Sequence, residues 1–176
     1  MRDVALDNNV PDLTGKRVGV VGGGNVAMDS ARTALRLGAD EVIIVYRRSR
    51  TEMPARNEEI EHAEEEGVQF HLLANPVEIL GNEQGWVRAM KCIRMELGEP
   101  DDSGRRRPVP IEGSEGVLPF YMIIPAIGQD PDMACIANEG DKPDTTRWNT
   151  FIYDEETQVT SLEGVFAAGD CAFGPD

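Results

Sequence analysis

The chain has 176 residues, and 17 Lys and Arg against 32 Asp and Glu give it a formal net charge of -15; its long-range field therefore repels phosphate backbones and anionic lipid surfaces, excluding nucleic acid and membrane as expected partners. The length suits one ordinary domain with a real core plus some extra chain, too little for two nucleotide domains. No run approaches 18 apolar residues and the first residues lack a signal-peptide pattern, so a soluble cytoplasmic protein is expected.

Residues 1–15 are polar, contain Asn8-Asn9-Val10-Pro11-Asp12 and end at Gly15, and read as a linker. One domain is expected over residues 16–128, and it opens with a β-α-β-α-β rhythm. A strand at 17–21 leads to a helix at about 25–37 whose Val26, Ala27, Ala31, Ala34 and Leu35 make one apolar face, stopped by Gly38. The apolar run 41–46 predicts a parallel strand buried on both faces. A second helix is predicted from Pro54 to Glu66, with Pro54 in its first turn, Glu61, Glu64, Glu65 and Glu66 on a solvated face, and Gly67 as its stop. A strand at 68–73 takes the third parallel position.

After Pro76 the pattern changes to a β-meander. Trp86 to Leu97 alternates, with Val87, Ala89, Ile93 and Met95 predicted on the core side, interrupted by Lys91. Residues 98–108 form a polar hairpin tip whose Arg105-Arg106-Arg107 reads as a solvated turn more readily than as a phosphate site. A single strand at 119–127 ends at Gly128. Beyond Pro131-Asp132, residues 151–154 read as part of a hairpin and 164–170 as a short buried strand ending in Gly169-Asp170. The fold class is therefore α/β: a Rossmann-like three-layer domain with a parallel sheet plus an antiparallel meander, followed over 129–176 by a segment of a second, partial domain.

The chemistry concentrates at the first strand-to-helix turn. Gly22-Gly23-Gly24-Asn25-Val26-Ala27 fits G-x-G-x-x-A, follows a strand and opens a helix, which is the context a dinucleotide phosphate turn requires. Gly22 permits the bend, Gly24 lets the backbone approach a pyrophosphate, and Ala27 keeps helix and strand close. The amides of Gly24, Asn25 and Val26 then face the phosphates. At the end of the second strand an NAD site needs a carboxylate for the ribose hydroxyls, but this chain supplies Tyr46-Arg47-Arg48-Ser49-Arg50. Arg47 or Arg48 suits a 2′-phosphate, which predicts NADPH as cofactor; the alternative is that the arginines neutralise Glu52 and Glu58.

Cys92, Cys135 and Cys171 form no C-x-x-C pair and no cluster, so reduced thiols and no metal site are expected, and a thioredoxin reductase-type redox pair is missing. Neither iron–sulfur spacing nor a Tyr-x-x-x-Lys pair occurs. His62 and His71 are expected to be structural, and no side chain is predicted to act as a general acid or base. Hydride transfer needs two stacked rings, and the cofactors carry it.

Gly22 to Asp29, Tyr46-Arg47-Arg48 with Glu52-Met53-Pro54-Ala55, the Ala126-Ile127-Gly128-Gln129 turn, and Gly164 to Asp170 together resemble the small (beta) subunit of NADPH-dependent glutamate synthase and related oxidoreductases. The resemblance implies an NADPH domain inserted within a FAD domain, with electrons passing from NADPH to FAD and on to iron–sulfur clusters or a partner subunit. It implies that Ala126, Ile127 and Gly128 form the crossover to the flavin domain near the nicotinamide end, and that Gly169 and Asp170 close the flavin site, Asp170 on the ribityl chain. The family's iron–sulfur region and first flavin fingerprint lie outside these residues, so this chain is expected to be a fragment that does not turn over alone. A rival expectation is a stand-alone NADP(H)-binding or regulatory module without catalysis.

Overall fold

The structure, a computed structural model, describes residues 11–101, 104–129, 132 and 142–174. The chain falls into two compact units, Met1–Ile127 and Gly128–Asp176.

In the first unit, strands β1 (Arg17–Val21), β2 (Glu41–Tyr46), β3 (Gln69–Leu72) and β8 (Met122–Pro125) form a parallel sheet in the order β3-β2-β1-β8. Helices α1 (Asn25–Arg36) and α2 (Asn57–Glu65) lie on one face. On the other lies an antiparallel sheet of β4 (Ala74–Gly81), β5 (Val87–Pro100), β6 (Arg106–Pro110) and β7 (Gly116–Pro119), with β5 pairing β4 on one edge and β6 and β7 on the other. The period-2 alternation of the parallel strands divides the core between these layers. Val18, Val20, Val42, Ile44 and Tyr46 face the helices, whereas Ile43, Val45 and Val21 face Ala74, Met90, Cys92 and Phe120 of the meander. Apolar side chains as fully buried as Met28, Ile44, Ile60 and Met90 each contribute about 1.5–3 kcal/mol.

Several expectations need correction. The linker does not extend to residue 15: Leu13 is 1% exposed, plugging the helix-side core, and Thr14 bridges Ala39, so 11–15 belong to the domain; 1–10 lie outside the described residues. On α1, Val26 is 60% exposed and Met28 takes its place inside. The second helix starts at Asn57, not Pro54, because the Ala55 amide is bonded to the Gly23 carbonyl at 3.1 Å and the chain is held extended until Arg56 caps the helix. Its Glu61, Glu64, Glu65 and Glu66 are exposed as expected, and two of them also form surface ion pairs, Glu66 with Arg32 and Arg36 and Glu64 with Arg50.

In the meander Ala89 and Met95 are buried as expected, but the β5 residues packed against the parallel sheet are Met90 and Cys92, and the predicted Val87 and Ile93 are only half-buried. That explains Lys91, which belongs to the opposite face; register shifts between β4 and β5 accompany the change. Strand β4 already begins at Ala74, with Pro76 accommodated in it on the sheet edge. The hairpin tip is shorter than predicted, since β5 runs to Pro100 and β6 starts at Arg106, whose guanidinium folds back onto the Leu97 and Gly98 carbonyls. The single strand at 119–127 is two strands in two sheets, β7 and β8. Between them Phe120 is buried against Gly19, where a Cβ would stand 3.1 Å from its ring.

Among its described residues the second unit contains one short helix, α3 (Asp170–Phe173), and isolated bridges Thr145↔Phe151, Tyr153↔Thr160 and Val159↔Phe166. The predicted hairpin and buried strand are therefore reduced to bridges. Phe166 is 66% exposed and only Ala167 of 164–168 is buried, because Val159 is the one strand neighbour this segment meets among the described residues. Hydroxyl bonds hold the turns: Thr160 Oγ1 to the Val165 carbonyl at 2.9 Å, and Thr157 Oγ1 to Asp154 Oδ1 at 2.7 Å. Pro131 and Cys135 lie outside the described residues.

Candidate functional site

The turn from β1 into α1 is built from three glycines with three different surroundings. Gly22 adopts φ +145, and a Cβ there would lie 2.1 Å from the Ala126 carbonyl oxygen, so this glycine lets β8 close against the end of β1. The Ala126 amide donates to the Val21 carbonyl at 2.7 Å, fixing the same approach. A Cβ on Gly23 would sit 2.7 Å from the Tyr46 ring. Gly24 differs: the nearest atom is Pro54 Cγ at 4.0 Å, which leaves its surface open to a ligand.

Gly24 caps α1 in an extended conformation with no side chain bonded to the helix end, and the first turn carries no acid. Among the described residues no acceptor takes the amides of Gly24, Asn25 or Val26, so three N–H groups and the positive end of the helix dipole are available to an anion. In a chain this acidic, such an opening favours phosphate only because no carboxylate intrudes. Ala27 is fully buried beneath the turn, as the close packing of helix on strand requires.

Asn25 turns its side chain away from that opening: Oδ1 accepts from the Arg56 amide at 3.0 Å. With the Ala55–Gly23 bond this stitches the 53–56 loop behind the glycine turn. Tyr46 completes the buttress, its hydroxyl donating to the Glu52 carbonyl at 2.8 Å. The sequence motif points to Asn25 only as a backbone donor, and no local pattern marks Tyr46. The signal was the motif Glu52-Met53-Pro54-Ala55, whose structural purpose needs the fold to be seen.

The arginine pair separates. Arg47 is exposed at the end of β2 and makes no side-chain hydrogen bond or ion pair among the described residues. Arg48 is 5% exposed and pairs with the half-buried Asp101 at 2.6 Å. Its assignment to a 2′-phosphate is thus corrected: its donors serve the meander. The alternative, that the arginines neutralise nearby acids, holds for Arg48 with Asp101 and for Arg50 with Glu64, though not at Glu52, which takes its hydrogen bond from Ser49. His62 and His71 are exposed on α2 and β3.

At the other end of the turn Ile127, 75% exposed, follows Ala126. Gly128 opens the second unit, where Gly169, at φ +66, precedes the exposed Asp170 at the head of α3. Among the described residues no cluster of His, Cys, Asp and Glu could hold a metal, Cys92 and Cys171 are free thiols, and no helix is long and apolar enough to cross a membrane.

A four-stranded parallel sheet entered through a glycine turn and covered by helices and a β-meander defines the class as a Rossmann-like dinucleotide-binding fold. The chain matches the pyridine nucleotide-disulphide oxidoreductase family over residues 3–176 and belongs to that family. It is 51% identical over 99% of its length to the NADP(+)-dependent formate dehydrogenase subunit beta of Moorella thermoacetica, covering 24% of that protein. It is 42% identical over 97% of its length to the glutamate synthase (NADPH) small chain of Azospirillum brasilense, covering 35% of it. The chain thus spans about a quarter to a third of the length of these relatives. Its fold is shared with thioredoxin reductase of T. acidophilum, at TM-score 0.71 and 21% identity over 98% of this chain and 48% of the other. Mycobacterium tuberculosis FprA in complex with NADPH gives TM-score 0.70 and 20% identity over 94% of this chain and 49% of that one.

Proposed function

We propose that this chain is the NADPH-binding module of a flavin-dependent oxidoreductase similar to the glutamate synthase small chain. The observation that carries the reading is Arg47, an exposed and unengaged guanidinium where an NAD site has a carboxylate, at the end of the strand next to the open glycine turn. The pyrophosphate is held by the amides of Gly24, Asn25 and Val26, with Gly22 and Gly23 shaping the turn and Ala27 seating the helix. Arg47 takes the 2′-phosphate. Ala126, Ile127 and Gly128 border the nicotinamide end, and the exposed Ile127 is suited to an apolar ring face. Gly169 and Asp170 are assigned to the flavin, with Asp170 accepting from the ribityl hydroxyls.

When bound, NADPH supplies a hydride, which the resemblance routes to FAD and then to iron–sulfur clusters or a partner subunit. The chain's residues bind and orient; none is given a proton to move. Titration calorimetry with NADPH and NADH tests the reading. Tighter binding of NADPH supports it, and equal affinity for both overturns it.

A further inference from the structure

Arg48 is the residue that sequence reasoning paired with Arg47 and that the fold turns in the opposite direction. Its guanidinium crosses the neck of the β5–β6 hairpin. Nε donates to the carbonyl of Arg106, the first residue of β6, at 2.8 Å, and Nη2 to Asp101 Oδ2, just past the end of β5, at 2.6 Å. The planar fork presents both donors in a fixed geometry, which the point charge and flexible stem of an ammonium group do not reproduce.

The backbone of Arg48 is held too. Its carbonyl accepts from the Leu73 amide at 3.1 Å, while the Leu73 carbonyl accepts from Met95 of β5 at 2.8 Å. Leu73 makes both bonds at φ +53, a left-handed conformation disfavoured for a residue with a bulky side chain. A strained junction and a part-buried ion pair therefore converge on one residue. On the other side of Arg47, Tyr46 is fixed by the Glu52 carbonyl and the Gly23 backbone. Arg47, exposed itself, is thus bracketed by two anchored neighbours.

We propose that Arg48 is a positioning residue for cofactor selection: without touching the cofactor, its clasp on Asp101 and the Arg106 carbonyl holds Arg47 in the pose that meets a 2′-phosphate. This rests on the NADPH reading above. The physical gain is preorganisation, because an arginine whose backbone is already fixed loses less freedom when it closes on its ligand. The meander then has a part in specificity although it contributes no ligand group.

The test is equilibrium titration of NADPH and NADH against the protein and its Arg47→Ala, Arg48→Lys, Asp101→Asn and Arg47→Ala/Arg48→Lys variants, with thermal melting alongside. Arg48→Lys and Asp101→Asn each weaken NADPH by about three- to tenfold and leave NADH nearly unchanged. On the Arg47→Ala background, Arg48→Lys has no further effect on NADPH. Equal weakening of both dinucleotides, the same loss with and without Arg47, or no loss at all overturns the clasp. If Arg48→Lys melts below the assay temperature, Asp101→Asn, which keeps a hydrogen-bonding side chain of the same size, carries the comparison. A protein in which Arg47→Ala itself leaves NADPH affinity intact overturns the NADPH reading and the clasp together, whereas a selective Arg47 effect with a silent Arg48→Lys and Asp101→Asn overturns the clasp alone.

Discussion

The ring of Tyr46 occupies the space a side chain on Gly23 would need, its Cε2 2.7 Å from the position of a Cβ there. The end of β2 and the phosphate turn are therefore one packed unit, and the glycines of the turn are not interchangeable.

Gly22→Ala places a methyl group against the Ala126 carbonyl at a backbone angle L-residues avoid, and is expected to cost about 3 kcal/mol or more. Gly24→Ala meets only Pro54 at van der Waals distance and should cost less than about 1 kcal/mol. Urea unfolding separates the two. Gly24→Val, by filling the approach to the amides, should abolish NADPH binding while leaving the circular dichroism spectrum unchanged; unchanged affinity would place the phosphate site elsewhere.

Arg47→Ala is expected to weaken NADPH by roughly 10- to 100-fold, the loss of one charge-assisted contact of about 1.5–3 kcal/mol, and to leave NADH alone. Calorimetry on both dinucleotides reads this directly. A parallel loss for NADH would show that Arg47 serves the fold and not the phosphate.

How much of this was legible beforehand follows from the range of each interaction. The glycine turn, the buried strand 41–46 and the stops at Gly38 and Gly67 are local, and the sequence pattern suffices for them. Arg48 looked identical to Arg47 because its partners lie 53 and 58 residues away, in a hairpin whose register no local pattern sets. The face of β5 is only half legible for a related reason: Ala89 and Met95 are buried as the alternation predicts, but Met90 and Cys92 on the other face are buried as well, and alternation alone does not choose between them. Phe120 broke one predicted strand into two because its destination, beside Gly19, belongs to a different sheet.

The Glu66 carboxyl is held below its ordinary value of 4.5 by hydrogen bonds from Arg36 and then Arg32. A depressed carboxyl contributes stability that is present above the unfolded value and disappears as pH falls through the folded one. Glu66→Gln should therefore lower the melting temperature at pH 7, with the difference from the parent vanishing as the pH drops below about 4.5 and shrinking in high salt. A difference that persists unchanged in acid would show that packing, not charge, joins α1 to α2 here.

Burial pushes the Cys92 thiol up, so little thiolate forms at neutral pH, whereas Cys171 is partly exposed. Iodoacetamide labelling followed by peptide mapping should modify Cys171 on the order of tenfold or more faster than Cys92. Comparable rates would mean that the space between the two sheets opens readily.

Strand β8 joins β1 in parallel, from Val18↔Met122 to Val21↔Pro125, across more than a hundred residues, while β2 and β3 come from nearby chain. During synthesis at roughly 5–20 residues per second, β1, β2, α1 and α2 are available several seconds before β8 leaves the ribosome. For that interval the free edge of β1 presents unpaired N–H and C=O groups to any extended chain in the neighbourhood. The nascent protein is therefore most prone to mispairing at the edge that later flanks the glycine turn. Its folding should be limited by arrival of the last strand rather than by formation of the helices.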